Sequence, residues 1–182
     1  MLEYYFDTET TGINPNDCKI ITIQYQPLDR YSWEPTGELQ ILKEWESSEK
    51  AIIEQIYPLT HSANLFAFIP IGNNLMFDFH FLETRSKKYG LNGYDLYYCR
   101  ERPFLDLKNN LVVINDGTFR GYSRILDNGS LDDVDVPELY KEEKYQEILD
   151  YIKTERDFFL AALCVLKGRC PNCKKVLRDS PM

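Results

Sequence analysis

The sequence predicts an α/β fold in which a mixed sheet is flanked by helices. Strand-like runs crowd the N-terminal part of the chain, and an apolar strand and helical periodicities alternate after them. That order brings antiparallel and parallel strands into one sheet. The 182 residues, 43% hydrophobic and 14% aromatic, suffice for one buried core and exclude a disordered chain. No internal repeat or low-complexity tract divides the sequence, so one domain is expected over residues 1–168, followed by a polar tail over 169–182.

The first strand is expected over residues 2–6, aromatic and β-prone, with a break at Thr10-Thr11-Gly12. A second follows over 20–26, where Ile21, Ile23 and Tyr25 alternate with Thr22 and Gln24. The third is expected over 33–42, with Pro35-Thr36-Gly37 as a turn inside or before it. Ser47 and Ser48 then precede a capped amphipathic helix over 49–56, with Ile52, Ile53 and Ile56 on one face. Residues 65–71 read as a fully apolar strand ended by Gly72-Asn73-Asn74, and a helix over 78–88 stops at Gly90. Residues 105–114 read as either helix or strand, and Asp127-Asn128-Gly129-Ser130 as a turn. A long helix over about 142–167 closes the fold.

Charge and composition narrow the function. The net charge of −8 argues against charge-driven coating of nucleic acid, but an acidic protein still acts on phosphates where bound cations reverse the local potential. The longest apolar run, 65–71, contains Pro70 and is far too short for a bilayer, so no membrane association is expected. An N-terminus with Glu3 and no basic segment lacks the pattern of a signal peptide. The five cysteines, odd in number, are expected to be reduced in a cytoplasmic protein. Cys170-Pro171-Asn172-Cys173 supplies only two of the ligands a structural zinc needs, so surface thiols are the simpler expectation.

The chemistry concentrates in three places. In Phe6-Asp7-Thr8-Glu9-Thr10-Thr11-Gly12, strand alternation points Asp7 and Glu9 to the same face. Two carboxylates there resist burial unless they share a proton or hold a cation, and Mg²⁺ takes such oxygen ligands; solvated acids at a strand end are the alternative. The stretch Gly72-Asn73-Asn74-Leu75-Met76-Phe77-Asp78-Phe79-His80-Phe81-Leu82 sets Asp78 among bulky aromatics, where an unpaired carboxylate is costly. On the last helix, Ile148, Ile152, Phe159, Leu163 and Leu166 form one stripe; Tyr151 and Glu155 lie on its edge, while Asp150 and Asp157 point away. Glu155 on the buried flank is either a ligand or one half of a salt bridge to an Arg, and Tyr151 either a site residue or a core aromatic.

Residues 6–12 and the Gly-Asn-Asn-x-x-Phe-Asp-x-x-Phe-Leu of 72–82 resemble the first two motifs of DEDD-type 3′–5′ exonucleases in the ribonuclease H-like superfamily. His61 and His80 lack the spacing of that family's His-type third motif, whereas Tyr151-Ile152-Lys153-Thr154-Glu155 has the Tyr-type spacing with Glu in place of Asp. In this respect the chain is similar to the exonuclease region of family-B DNA polymerases and its free-standing relatives. The resemblance implies a ribonuclease H-like sheet and phosphodiester hydrolysis with two Mg²⁺ or Mn²⁺ ions. It implies that Asp7, Glu9 and Glu155 hold one ion, that Asp7 bridges to a second supported by Asp78, and that Tyr151 orients or helps to deprotonate the attacking water. Asp157 is the fallback ligand. Thr10 and Gly12 would receive the terminal nucleotide, with Asn74 and Phe77 as either further substrate contacts or packing residues. Arg85, Lys87, Lys88, Arg100 and Arg102 are candidate phosphate contacts or a solvated face. The implied substrates are 3′ ends of single-stranded DNA or RNA, with a polymerase or repair partner in trans. A module that keeps the fold and binds nucleic acid or protein without catalysis is the alternative.

Overall fold

The computed structural model describes residues 3–91, 93–114 and 134–167. Five strands form one sheet: β1 (Glu3–Thr10), β2 (Ile20–Leu28), β3 (Gln40–Lys43), β4 (Ile69–Gly72) and β5 (Leu105–Asp106), in the order β3-β2-β1-β4-β5. β2 pairs antiparallel with both β1 and β3, while β4 pairs in parallel with both β1 and β5. Parallel pairing requires crossovers, and helices supply them. Helix α1 (Glu49–Thr60) links β3 to β4, and α2 (Leu75–Lys88) and α3 (Leu96–Glu101) link β4 to β5; α4 (Leu107–Ile114), α5 (Val136–Lys141) and α6 (Tyr145–Lys167) follow.

Alternation along the central strand sorts its side chains between two layers. Tyr4 and Phe6 pack with Ile52, Ile53 and Ile56 of α1 and with Phe79 and Leu82 of α2. Tyr5 points the other way, into a core with Ile71, Leu107, Phe159 and Leu163, its ring 5.0 Å from that of Phe159. Helix α6 therefore covers the face of β1 opposite α1 and α2. Gly72 permits a close approach at the end of β4, since a Cβ there would lie 2.5 Å from the Phe6 carbonyl oxygen.

Several elements differ from expectation. The third strand is confined to Gln40–Lys43, because Trp33 sits at φ 58 and only an isolated bridge, Leu28 to Pro35, joins the intervening stretch to the sheet. The apolar strand begins at Ile69, leaving Leu65 and Phe66 exposed. Helix α1 runs on past Ile56 through Pro58, with Ser48 accepting from the Ala51 amide at its start, and α2 begins at Leu75. The ambiguous 105–114 stretch is both, two residues of strand and then a helix. The expected last helix is α6, which starts three residues late at Tyr145, just after Glu143 takes φ 56; α5, before it, was not expected. Helix α3 was not expected, though Asp95 caps it through the Tyr98 amide. The turn at 127–130 and the 169–182 tail with Cys170 and Cys173 lie outside the described residues.

Candidate metal centre

The carboxyl end of β1 gathers the acidic residues. Asp7 and Glu9 share the face of Tyr5, so they meet α6 and not α2. The buried stripe of α6, from Ile148 and Ile152 to Phe159 and Leu163, fixes the helix against the sheet and turns Glu155 toward β1. Asp7, Glu9 and Glu155 each offer an oxygen within 4.8 Å of the others. Asp150 and Asp157 leave more than 60% of their side chains exposed, and Asp157 lies 2.7 Å from Arg156 Nε.

Asp78 reaches β1 from the α2 side and stands apart from that trio. It is buried, and the Thr8 hydroxyl donates to its Oδ1 at 2.6 Å. A small pocket, lined by Tyr5, Asp7, Asn73, Glu155 and Phe159, opens at the trio. Asp7 Oδ2 accepts from Gln24 Nε2 at 3.1 Å and from the Tyr5 hydroxyl at 3.4 Å, and Thr22 holds Gln24 by donating to its Oε1.

These donors are neutral and too few. Burial first, and then the neighbouring carboxylates, hold Asp7 and Glu9 well above the usual carboxylate range. Burial also raises Glu155, and pushes Asp78 up to about 8 despite the Thr8 bond. Tyr151 is raised by burial and then by Glu155, Glu9 and Asp7, so it stays a phenol at neutral pH. Among the described residues, no cation counts among the groups that shift the trio.

The other expected contacts fall as follows. Thr10 Oγ1 donates to the Gly12 carbonyl at 2.7 Å, closing the turn after β1, and Gly12 takes φ 156 with Cys18 Sγ against it. Asn74 adopts a left-handed conformation; its amide donates to Asp106 Oδ1 and its own Oδ1 accepts from Lys108 Nζ at 2.7 Å. Phe77 is half-buried, 4.8 Å from the Phe81 ring. Arg85 neither contacts solvent as a phosphate clamp would nor belongs to a solvated face: it is buried against Glu49. Arg100 is exposed beside Glu101, and Arg102 lies over Tyr98 and donates to the Ser62 carbonyl.

Sequence reasoning missed Tyr5, Gln24 and Asn73. Gln24 had a signal, since Thr22, Gln24 and Gln26 form a buried polar series with period two, and Gln24 stands directly opposite Asp7 in the β1–β2 register. Asn73 had none beyond its place at the end of β4.

The donor set fits a hard divalent cation. It consists of carboxylate oxygens without a counter-charge, and the buried Oδ1 of Asn73, in the same pocket, has no hydrogen-bond partner.

A two-layered mixed sheet carrying acids at the end of its central strand defines the class of protein. The sequence profile of the RNase H superfamily matches residues 4–153, and the chain belongs to that superfamily. No curated protein matches it by sequence. Among solved structures it is similar in fold to Escherichia coli exonuclease I in complex with a dA16 oligonucleotide, with 14% identity and a TM-score of 0.63 over 97% of this chain and 42% of that one. It is similar, too, to the zinc-bound form of the E. coli exonuclease I complex with single-stranded DNA, at 13% identity and a TM-score of 0.61, over 97% of this chain and 42% of that one. The chain thus spans less than half the length of these structures. None of its described helices is long and apolar enough to cross a membrane.

Proposed function

We propose that this protein is a divalent-metal-dependent 3′–5′ exonuclease acting on single-stranded DNA or RNA 3′ ends. The observation that carries the reading is the trio Asp7, Glu9 and Glu155, whose oxygens lie within 4.8 Å of one another without a balancing charge. Asp7, Glu9 and Glu155 would hold one Mg²⁺ or Mn²⁺ ion, and Asp7 and Asp78 would serve a second. Bound there, the ions supply an activated water and stabilise the departing 3′ oxygen.

The residues of the chain do the rest. Tyr151, a neutral phenol beside Glu155, orients the attacking water by hydrogen bonding instead of removing its proton. Gln24 and Tyr5 fix the rotamer of Asp7. Thr10 and Gly12 receive the terminal nucleotide at the turn after β1, and Asn74 and Phe77 flank the strand. Residues 1–168 constitute the exonuclease domain, with the tail at 169–182 appended to it. Cys18 and Cys99 are free thiols, which supports a reducing, cytoplasmic setting. A polymerase or repair protein acts as partner in trans.

The test is hydrolysis of 3′- and 5′-labelled single-stranded DNA and RNA with Mg²⁺, Mn²⁺ or EDTA. Metal-dependent shortening from the 3′ end, abolished in Asp7→Ala and in Glu155→Ala, is the expected result. A folded parent protein that cleaves neither substrate with either metal overturns the reading.

A further inference from the structure

A second charged cluster lies across the sheet, and the carboxylate chemistry does not use it. Glu49 and Arg85 are both buried, with 5% and 7% of their side chains exposed. Glu49 Oε1 accepts from the Ile20 amide and from Arg85 Nε, each at 2.8 Å, and Oε2 accepts from Arg85 Nη2 at 2.6 Å and from the Tyr89 hydroxyl at 2.7 Å. The remaining guanidinium nitrogen, Nη1, donates to the Pro15 carbonyl at 3.3 Å.

Ile20 and Pro15 are the informative partners. The pair does not simply join α1 to α2; it reaches from both helices to the segment 11–19, which leaves β1 directly after Thr10. That segment is pinned at its neck by the paired backbones of Thr11 and Lys19, and by the Thr11 hydroxyl accepting from the Lys19 amide. Arg85 and Glu49 pin its middle and its exit. The part left free is Ile13, 87% exposed although apolar, one residue beyond Gly12. The loop follows directly on the strand that carries Asp7 and Glu9, and it presents a bare apolar side chain to solvent where a ligand can meet it.

Accepting the exonuclease reading above, we propose that Glu49 and Arg85 are positioning residues that hold the loop 11–19 as a wall of the nucleic-acid cleft. Arg is suited to this because its planar fork grips the carboxylate with two nitrogens while the third remains for the loop; Lys, a compact ammonium, cannot do both.

The test uses the full chain and a 5′-fluorescein-labelled single-stranded dT oligonucleotide, with binding followed by anisotropy in Ca²⁺. Arg85→Lys is expected to weaken binding about tenfold, and in Mg²⁺ to raise KM similarly with kcat within about twofold. Tyr89→Phe removes a donor to Glu49 without touching the loop, and is expected to leave Kd within about twofold even though it lowers Tm. Should Arg85→Lys fail to fold by circular dichroism, Glu49→Gln carries the same expectation. Equal effects of the Arg85 and Tyr89 changes, no change in Kd for a folded Arg85→Lys protein, or a parent protein that binds no oligonucleotide would each overturn the proposal. A parent protein that binds the oligonucleotide but cleaves nothing overturns the nuclease reading alone, and the Kd comparison still decides the role of Arg85.

Discussion

Two acidic groups in this molecule, one buried and one half-buried, have opposite fates. Glu49 collects four hydrogen-bond donors on its two oxygens, two of them from a guanidinium. Asp7, Glu9 and Glu155 crowd within 4.8 Å of one another, and only the neutral side chains of Gln24 and Tyr5 reach Asp7. The same desolvation acts on both. In one place the fold answers it with complementary charge, and in the other it leaves the repulsion standing. A carboxylate with a charged donor in place is a fastener, whereas three with neutral donors alone leave a deficit of charge suited to the proposed cation. The unanswered repulsion is what distinguishes the candidate metal centre from the structural pair.

The contrast can be broken or sharpened by substitution. The largest effect falls on hydrolysis. Asp7→Ala is expected to lower kcat about a thousandfold, corresponding to ~4 kcal/mol of lost transition-state stabilisation, with Glu155→Gln close behind and Asp157→Ala indistinguishable from the parent in a labelled-oligonucleotide assay. Next is stability, where the two clusters should respond with opposite signs. Arg85→Met strands the Glu49 charge and is expected to cost about 3–5 kcal/mol in urea unfolding. Removing a charge from the trio with Asp7→Asn should instead stabilise the metal-free protein by about 1 kcal/mol.

The pH dependence follows from the raised carboxyl groups. Asp78 titrates near 8 in the folded protein against 3.8 in the unfolded chain, so between those values the folded state binds more protons. Stability therefore falls as pH rises from about 4 to 8, and Asp7, Glu9 and Glu155, shifted the same way, steepen the fall. Thermal unfolding in EDTA should show this decline, and Mn²⁺, binding the deprotonated groups, should abolish it. The smallest effect is expected for Thr8→Val, which removes the donor to Asp78 and should weaken Mn²⁺ binding by about tenfold in calorimetry while leaving the trio in place.

The site was legible where its geometry is local. Period two along β1 puts Asp7 and Glu9 on one face, and period 3.6 along α6 turns Glu155 inward and Asp157 outward; both arrangements appear in the structure. Partners brought together by tertiary structure left no comparable trace. Nothing in the run Arg85-Ser86-Lys87-Lys88 marks the first residue as buried, because its partner Glu49 lies on another helix. Gln24 meets Asp7 only through strand register. Conformations rare for residues other than glycine were equally hidden: Trp33 and Glu143, both at positive φ, precede the late starts of the third strand and of the last helix. The mixed sheet was readable from the order of its elements, while strand ends shifted wherever such a residue intervened.

The placement of Glu155 on the last helix has a consequence for how the protein comes into being. As the chain leaves the ribosome, the strand bearing Asp7 and Glu9 emerges early and α6 emerges after every strand of the sheet. A nascent fragment that lacks α6 carries two carboxylates of the trio and cannot supply the third from its own residues. The trio is complete only once Phe159 has docked against Tyr5 and α6 has carried Glu155 to the end of β1.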